Sequence, residues 1–246
     1  MIPLSPKYTP SHFSKAYEFG ETPERESRDF AKVALPEILP VILQLLTRQE
    51  EDADEDEWNV SMAAGTCLSL LALAVNDTIV QAVIPFIETN ITSPDWHFRE
   101  AAVMAFGSIL DGPDPTVLAS LIHQALPVLL QMMGEQESND AVKDTAAWTI
   151  ARICDLHAQG LGLVQHVQPV VGAIVAGLES TPRISANCAW AIQSLSENLS
   201  SYDEETIVPT DPMSMYYEGL FRALMRITEK LVLISPRIFC FYADLD

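Results

Sequence analysis

Basic residues are scarce in this sequence: 14 Lys and Arg stand against 34 Asp and Glu, a formal charge of −20. That imbalance disfavours nucleic acid and anionic membranes as partners and favours basic polypeptides, although solubility alone would also account for it. Cysteine is sparse as well. Cys67, Cys154, Cys188 and Cys240 form no CxxC pair, and three lie in apolar helical patterns where a thiol behaves as a small hydrophobe, so a reducing compartment is expected. No basic segment leads into an apolar one near Met1, and the longest unbroken apolar run, near Leu70 to Val75, is too short for a bilayer. A soluble intracellular chain follows, in which the sequons at Asn76, Asn90 and Asn198 are chance matches.

Catalytic signatures are missing too. There is no GxSxG, no phosphate-cradling glycine loop after a strand, and no carboxylate pair whose spacing reveals an acid–base site. Asp52, Asp54 and Asp56 have the first spacings of a calcium loop, but Glu57 stands where glycine is needed and Ala63 where a bidentate glutamate is needed. Cys154, His157 and His166 lack a fourth zinc partner at suitable spacing. His97 and His123 read as surface residues. The chain is therefore expected to have no catalytic residue, no metal and no cofactor.

What is present is an internal repeat. The segments LPVILQLL, IPFIETNI, LPVLLQMM and QPVVGAIV place Pro40, Pro85, Pro127 and Pro169 at steps of 45, 42 and 42 residues, the period of two-helix repeats of HEAT type. Each proline is expected near the front of its helix, where no amide hydrogen is needed. A second helix follows, with one apolar stripe in each repeat: Phe98, Ala101, Ala102, Ala105, Phe106 and Ile109; then Val142, Ala146, Ile150 and Ile153; then Ile184, Cys188, Ala191, Ile192 and Leu195. Ser93-Pro94-Asp95 and Thr181-Pro182 are expected to set a capping hydroxyl before a first-turn proline. No alternating segment supports a sheet. The expected fold is all-α, an α-solenoid of about four helix pairs over 30–75, 77–110, 115–156 and 162–198, with a further helix at 212–234.

Two features exceed what a core needs. Trp148 and Trp190 lie two residues past the stripe centres Ala146 and Cys188, about 200° round the helix, which points them to solvent as a binding pair or, alternatively, into the gap between repeats as packing. From the repeat proline to this position is 19, 21 and 21 residues in three repeats, at Met104, Trp148 and Trp190, but 27 in the first, at Cys67. The surplus is an acidic insertion: Glu50, Glu51, Asp52, Asp54, Glu55, Asp56 and Glu57, followed at once by Trp58. Acidic side chains beside aromatic ones suit Lys and Arg, through charge and through their alkyl stems, though a run of this kind is also simply a solvated loop.

The segments EEDADEDEWN, SPDWHFREAAVMAFGSILDGP, DTAAWTIARICDL and ANCAWAI resemble the importin-beta (karyopherin-beta) family, in its central HEAT repeats with their acidic loop. The likeness runs over residues 16–230; residues 1–15 and 231–246 depart from it. The resemblance implies a nuclear import carrier fragment whose second helices line a concave surface and bind the basic importin-beta-binding segment of importin-alpha or similar basic cargo. It further implies that the acidic loop with Trp58, Trp148 and Trp190 makes that contact. A partial site for the GTPase Ran, nucleoporin binding in the full-length family member, and shuttling between cytoplasm and nucleus belong to the same expectation. The alternative is a HEAT scaffold subunit of a multiprotein complex. An armadillo groove fits less well, because its tryptophan is followed four residues on by asparagine, and here those positions hold Arg152 and Ser194.

Overall fold

A computed structural model describes residues 28–49, 58–134, 137, 139–158, 166–199 and 212–234, with side chains to residue 228 in the last segment. Its helices are α1 (Phe30–Leu46), α2 (Val60–Val75), α3 (Thr78–Asn90), α4 (Trp96–Ser108), α5 (Pro115–Met132), α6 (Asp140–His157), α7 (Val167–Gly177), α8 (Pro182–Leu199) and α9 (Tyr217–Ile234). The first eight form four antiparallel pairs. α2, α4, α6 and α8 stack on one another in that order as an inner row, and α1, α3, α5 and α7 each pack on their partner as an outer row. This is an all-α solenoid of HEAT type, as the period requires.

Side-chain size explains the close inner row. Ala101, Ala105, Ala146 and Ala191 are fully buried along it, and residues without bulk let successive helices approach. Larger side chains, Ile109, Ile150, Ile153 and Leu195 among them, close the core between rows. The stripes read from sequence are buried with one exception: Phe98, at the head of the first, is 40% exposed. α5 is long and apolar enough to cross a membrane by length and composition. Its Leu118, Ile122, Leu126 and Leu129 nevertheless fall on one buried stripe, while Thr116, Ser120, Gln124 and Gln131 face outward.

Helix ends correct two expectations. Asx side chains supply the caps: Asn59 accepts from Met62 N, Asp95 from His97 N, Asp114 from Thr116 N, and Asn139 from Ala141 and Val142 N. Ser93 does not cap α4; its hydroxyl accepts from Asp95 N at 3.2 Å, and Pro94 precedes the cap. At α8, Pro182 does take the first position, with the Thr181 carbonyl accepting from Ser185 N. The repeat prolines are also displaced from the expected place. Pro40, Pro85 and Pro127 lie inside α1, α3 and α5, and only Pro169 stands in a first turn. An interior proline gives up one hydrogen bond to the carbonyl four residues back, a loss that tertiary packing must offset.

Chain reversals between pairs have a local logic. Asn76 ends α2 at φ 51°, donating its amide to Ala72 O. Gly112 takes φ 110° between α4 and α5, and a Cβ there would fall 2.6 Å from Ala72 O. Asp77 ties these two reversals together by accepting from Asp114 N at 2.7 Å.

A candidate binding trough on the inner helices

The N-terminal halves of α2, α4, α6 and α8 line a trough of about 950 Å³. Because inner helices repeat with nearly constant spacing, residues some 43 to 45 apart face each other across it. Thr145 Oγ1 donates to Glu100 Oε1 at 2.7 Å, and Asn187 Nδ2 to Asp144 Oδ1 at 2.8 Å. Arg183 pairs with Asp144 at 2.9 Å. Gln49 Nε2 donates to the His97 carbonyl at 2.9 Å and to Glu100 Oε2. Glu100 is thus held in the trough floor, 4% exposed, and burial pushes its carboxyl above the ordinary range despite the Thr145 and Gln49 hydrogen bonds. With Asp140 and Asp144 on the same wall and Arg183 opposing them, the lining is acidic on balance.

Three tryptophans line the trough: Trp58, Trp96 and Trp148. Trp58 is 64% exposed. Trp148 is half-buried and leans on α4 at Gly107, where a Cβ would fall 2.4 Å from the indole Cζ3. Trp190 is half-buried against the core and does not line the trough. The 200° rule thus overstates exposure, because both indoles have room to fold back onto their own solenoid. Of the predicted site residues, the structure brings Trp58 and Trp148 into one trough and leaves Trp190 outside it. Glu50, Glu51, Asp52, Asp54, Glu55, Asp56 and Glu57 lie outside the described residues. The residues that bracket them, Gln49 and Trp58, both line the trough.

Trp96 was not singled out from the sequence. Its ring stacks on His97 with centroids 3.8 Å apart, and His97 in turn meets Asp95 at 2.8 Å. A signal existed: two residues before the stripe head stands Trp96 in one repeat and Asp140 in the next, and both line the trough. Cys154 and Cys188 are buried, and burial raises both thiols, Cys188 to about 12. Cys67 is exposed, and Cys240 lies outside the described residues.

Fold and trough together define an α-solenoid with an acidic, tryptophan-lined inner face, the form of a protein-binding HEAT array. Residues 96–153 match the HEAT-like repeat model, and residues 169–232 match the model for importin subunit beta-1-like TPR repeats. Importin subunit beta-1 of Schizosaccharomyces pombe is 45% identical over 216 residues, covering 88% of this chain and 24% of that protein. Kap95p, whose binding induces the switch loops of RanGDP to adopt the GTP-bound conformation, superposes with TM-score 0.75 at 40% identity, over 87% of this chain and 24% of its own. Kap95 of the Kap95:Nup1 complex gives 0.75 at 41%, over 86% and 24%. The chain belongs to the importin-beta family, a family of transport receptors and not of enzymes, and spans about a quarter of the length of these relatives.

Proposed function

We propose that this chain is the segment of a nuclear import receptor that binds a basic helical segment, that of importin-alpha or of a similar basic cargo, on its inner face. The observation that carries this reading is the trough itself, which Trp58 and Trp148 line together with Asp140, Asp144 and Glu100. An amphipathic basic helix needs apolar surface for its stems and negative potential for its charges, and this lining offers both. The seven acids between Glu50 and Glu57 extend the negative potential, since the covalent chain tethers them between two trough residues, Gln49 and Trp58. Kap95p acts on RanGDP and assembles with Nup1. For this chain we place a partial Ran contact at the acidic insertion, assign nucleoporin binding to the full-length receptor, and infer shuttling between cytoplasm and nucleus.

The test is tryptophan emission on titration with a Lys/Arg-rich importin-alpha segment. A shift at low salt, with affinity falling steeply as salt rises, is the expected outcome. No shift at low salt overturns the reading. Crosslinks confined to the turns between repeats would favour a scaffold role in its place.

A further inference from the structure

Trp148 is held by a device that neither neighbouring repeat shares. Arg152, one turn further along α6, places its guanidinium carbon over the indole, 5.3 Å from the ring centroid. Its Nε donates to the Gly107 carbonyl on α4 at 2.9 Å. Gly107 is also the residue that admits the indole: a Cβ there would stand 2.4 Å from Cζ3 and 3.0 Å from Cε3 of Trp148. One side chain therefore backs the ring and fastens itself to the backbone the ring rests on. Trp148 lines the trough, and Arg152, which does not, stands over its ring. Four residues past Trp190 stands Ser194, whose hydroxyl donates to Asp155, and the position aligned with Trp148 on α4 is Met104, which has no ring.

We propose that Arg152 and Gly107 are positioning residues for Trp148, holding its indole preset toward the trough so that a basic helical partner meets a fixed aromatic wall. This rests on the binding reading above. A flexible indole would lose rotamer freedom on binding, and one already fixed does not. Removing the clamp should weaken binding. Simple electrostatics predicts the opposite sign, because deleting a cation from the receptor would draw a cationic partner closer.

The experiment uses a labelled amphipathic peptide of Lys and Leu as the probe, with anisotropy titrations of the wild type, Arg152→Met, Trp148→Phe and the double variant. Near-ultraviolet circular dichroism of the same proteins isolates the Trp148 band as the difference between wild type and Trp148→Phe. The expected result is that Arg152→Met weakens the probe about tenfold, diminishes that band, and adds nothing in the Trp148→Phe background. Unchanged or tighter binding overturns the proposal, as does an intact band or an equal loss when Trp148 is already phenylalanine. Should the wild type not bind the probe, the binding reading fails, and the band alone decides whether Arg152 fixes the ring. Gly107→Ala should displace the indole as well; if it does not fold, Arg152→Met carries the test.

Discussion

Thr145 Oγ1 donates to Glu100 Oε1 at 2.7 Å, joining two successive inner helices through a carboxylate that is 4% exposed. Burial raises the Glu100 carboxyl above the ordinary 4.5 of a free glutamate. Between 4.5 and the raised folded value the native state holds a proton that the unfolded state has lost, so this group's contribution to stability is full below 4.5 and is lost as pH rises. Glu100→Gln removes that dependence. Its amide could also donate to Gln49 Oε1, which is buried with no hydrogen-bond partner. The variant is expected to gain about 1 kcal/mol over wild type at pH 8 and less near pH 5, read by urea denaturation. Equal stability curves at every pH would remove the buried-carboxylate account.

His157 carries the opposite sign. Its Nε2 lies 2.7 Å from the Leu110 carbonyl, a contact that requires a donor, and its Nδ1 is buried with no hydrogen-bond partner. Burial lowers its pKa below 6.5, outweighing the Leu110 hydrogen bond. Stability from this group is present above 6.5 and declines as pH falls from 6.5 toward the lowered folded value. His157→Gln keeps a donor for Leu110 without the titration. Its stability should fall less than that of the wild type in the range just below pH 6.5.

Gly177 ends α7 against α8. A Cβ at that position would stand 2.5 Å from Cys188 Sγ and 2.8 Å from Met133 Cε. Gly177→Ala is expected to cost about 1–3 kcal/mol by overpacking. Adding Cys188→Ala should recover part of the loss, so that the two changes are not additive in thermal denaturation. Strict additivity would mean that the sulfur yields without cost.

Arg99 joins the turn before its own helix to the turn before the next inner helix. Its Nε and Nη2 reach Glu137 at 3.0 and 2.8 Å, and Nη1 reaches the Ser93 and Pro94 carbonyls at 2.9 and 3.0 Å. The side chains of Arg99 and Glu137 are 18% and 10% exposed, so removing the guanidinium leaves the Glu137 carboxylate in a poorly solvated place without its cation, although Asn139 N still donates to it at 3.0 Å. Arg99→Ala should cost about 3 kcal/mol. Arg99→Lys should restore only a fraction, because an ammonium cannot present the planar fork. Full recovery with lysine would show that charge alone matters there.

The tryptophans separate into two roles. Trp58, 64% exposed on the trough wall, should lose partner affinity by about tenfold or more on change to alanine while leaving stability nearly untouched. Trp190, packed on the core, should do the reverse, with Trp190→Ala costing about 2–3 kcal/mol of stability. Calorimetric unfolding beside peptide titration distinguishes them. Equal affinity losses would restore the paired-indole surface that the 42-residue spacing suggests.

Much of the architecture was legible because helical periodicity and repeat spacing are local properties. Val142, Ala146, Ile150 and Ile153 recur at helical intervals, and all are buried. The caps were less legible: Ser93 and Asp95 are both capping types, and only the path of the backbone selects Asp95. Trp96 precedes the apolar stripe and so carries no periodic signal, and Phe98 fits the stripe's period yet is 40% exposed at its head. Trp148 and Trp190 hold equivalent positions in sequence, yet Gly107 receives one indole and the core receives the other. The difference lies in what the neighbouring helix presents, and no pattern within one repeat encodes that.

Sequence by itself determined that this chain is helical, that it repeats about every 42 residues, that its charge is strongly negative, and that an acidic insertion ending at Trp58 interrupts the first repeat. Those facts depend on residues close in the chain. Only the tertiary structure decided that Glu100 is buried, that Trp96 shares a trough with Trp58 and Trp148, and that Arg152 backs one indole and not the other. Each of those outcomes depends on what a neighbouring inner helix presents, Thr145 to Glu100 and Gly107 to Trp148 and Arg152 among them, and the offset between stacked helices is set by the packing of their small side chains, which emerges only when the repeats are assembled.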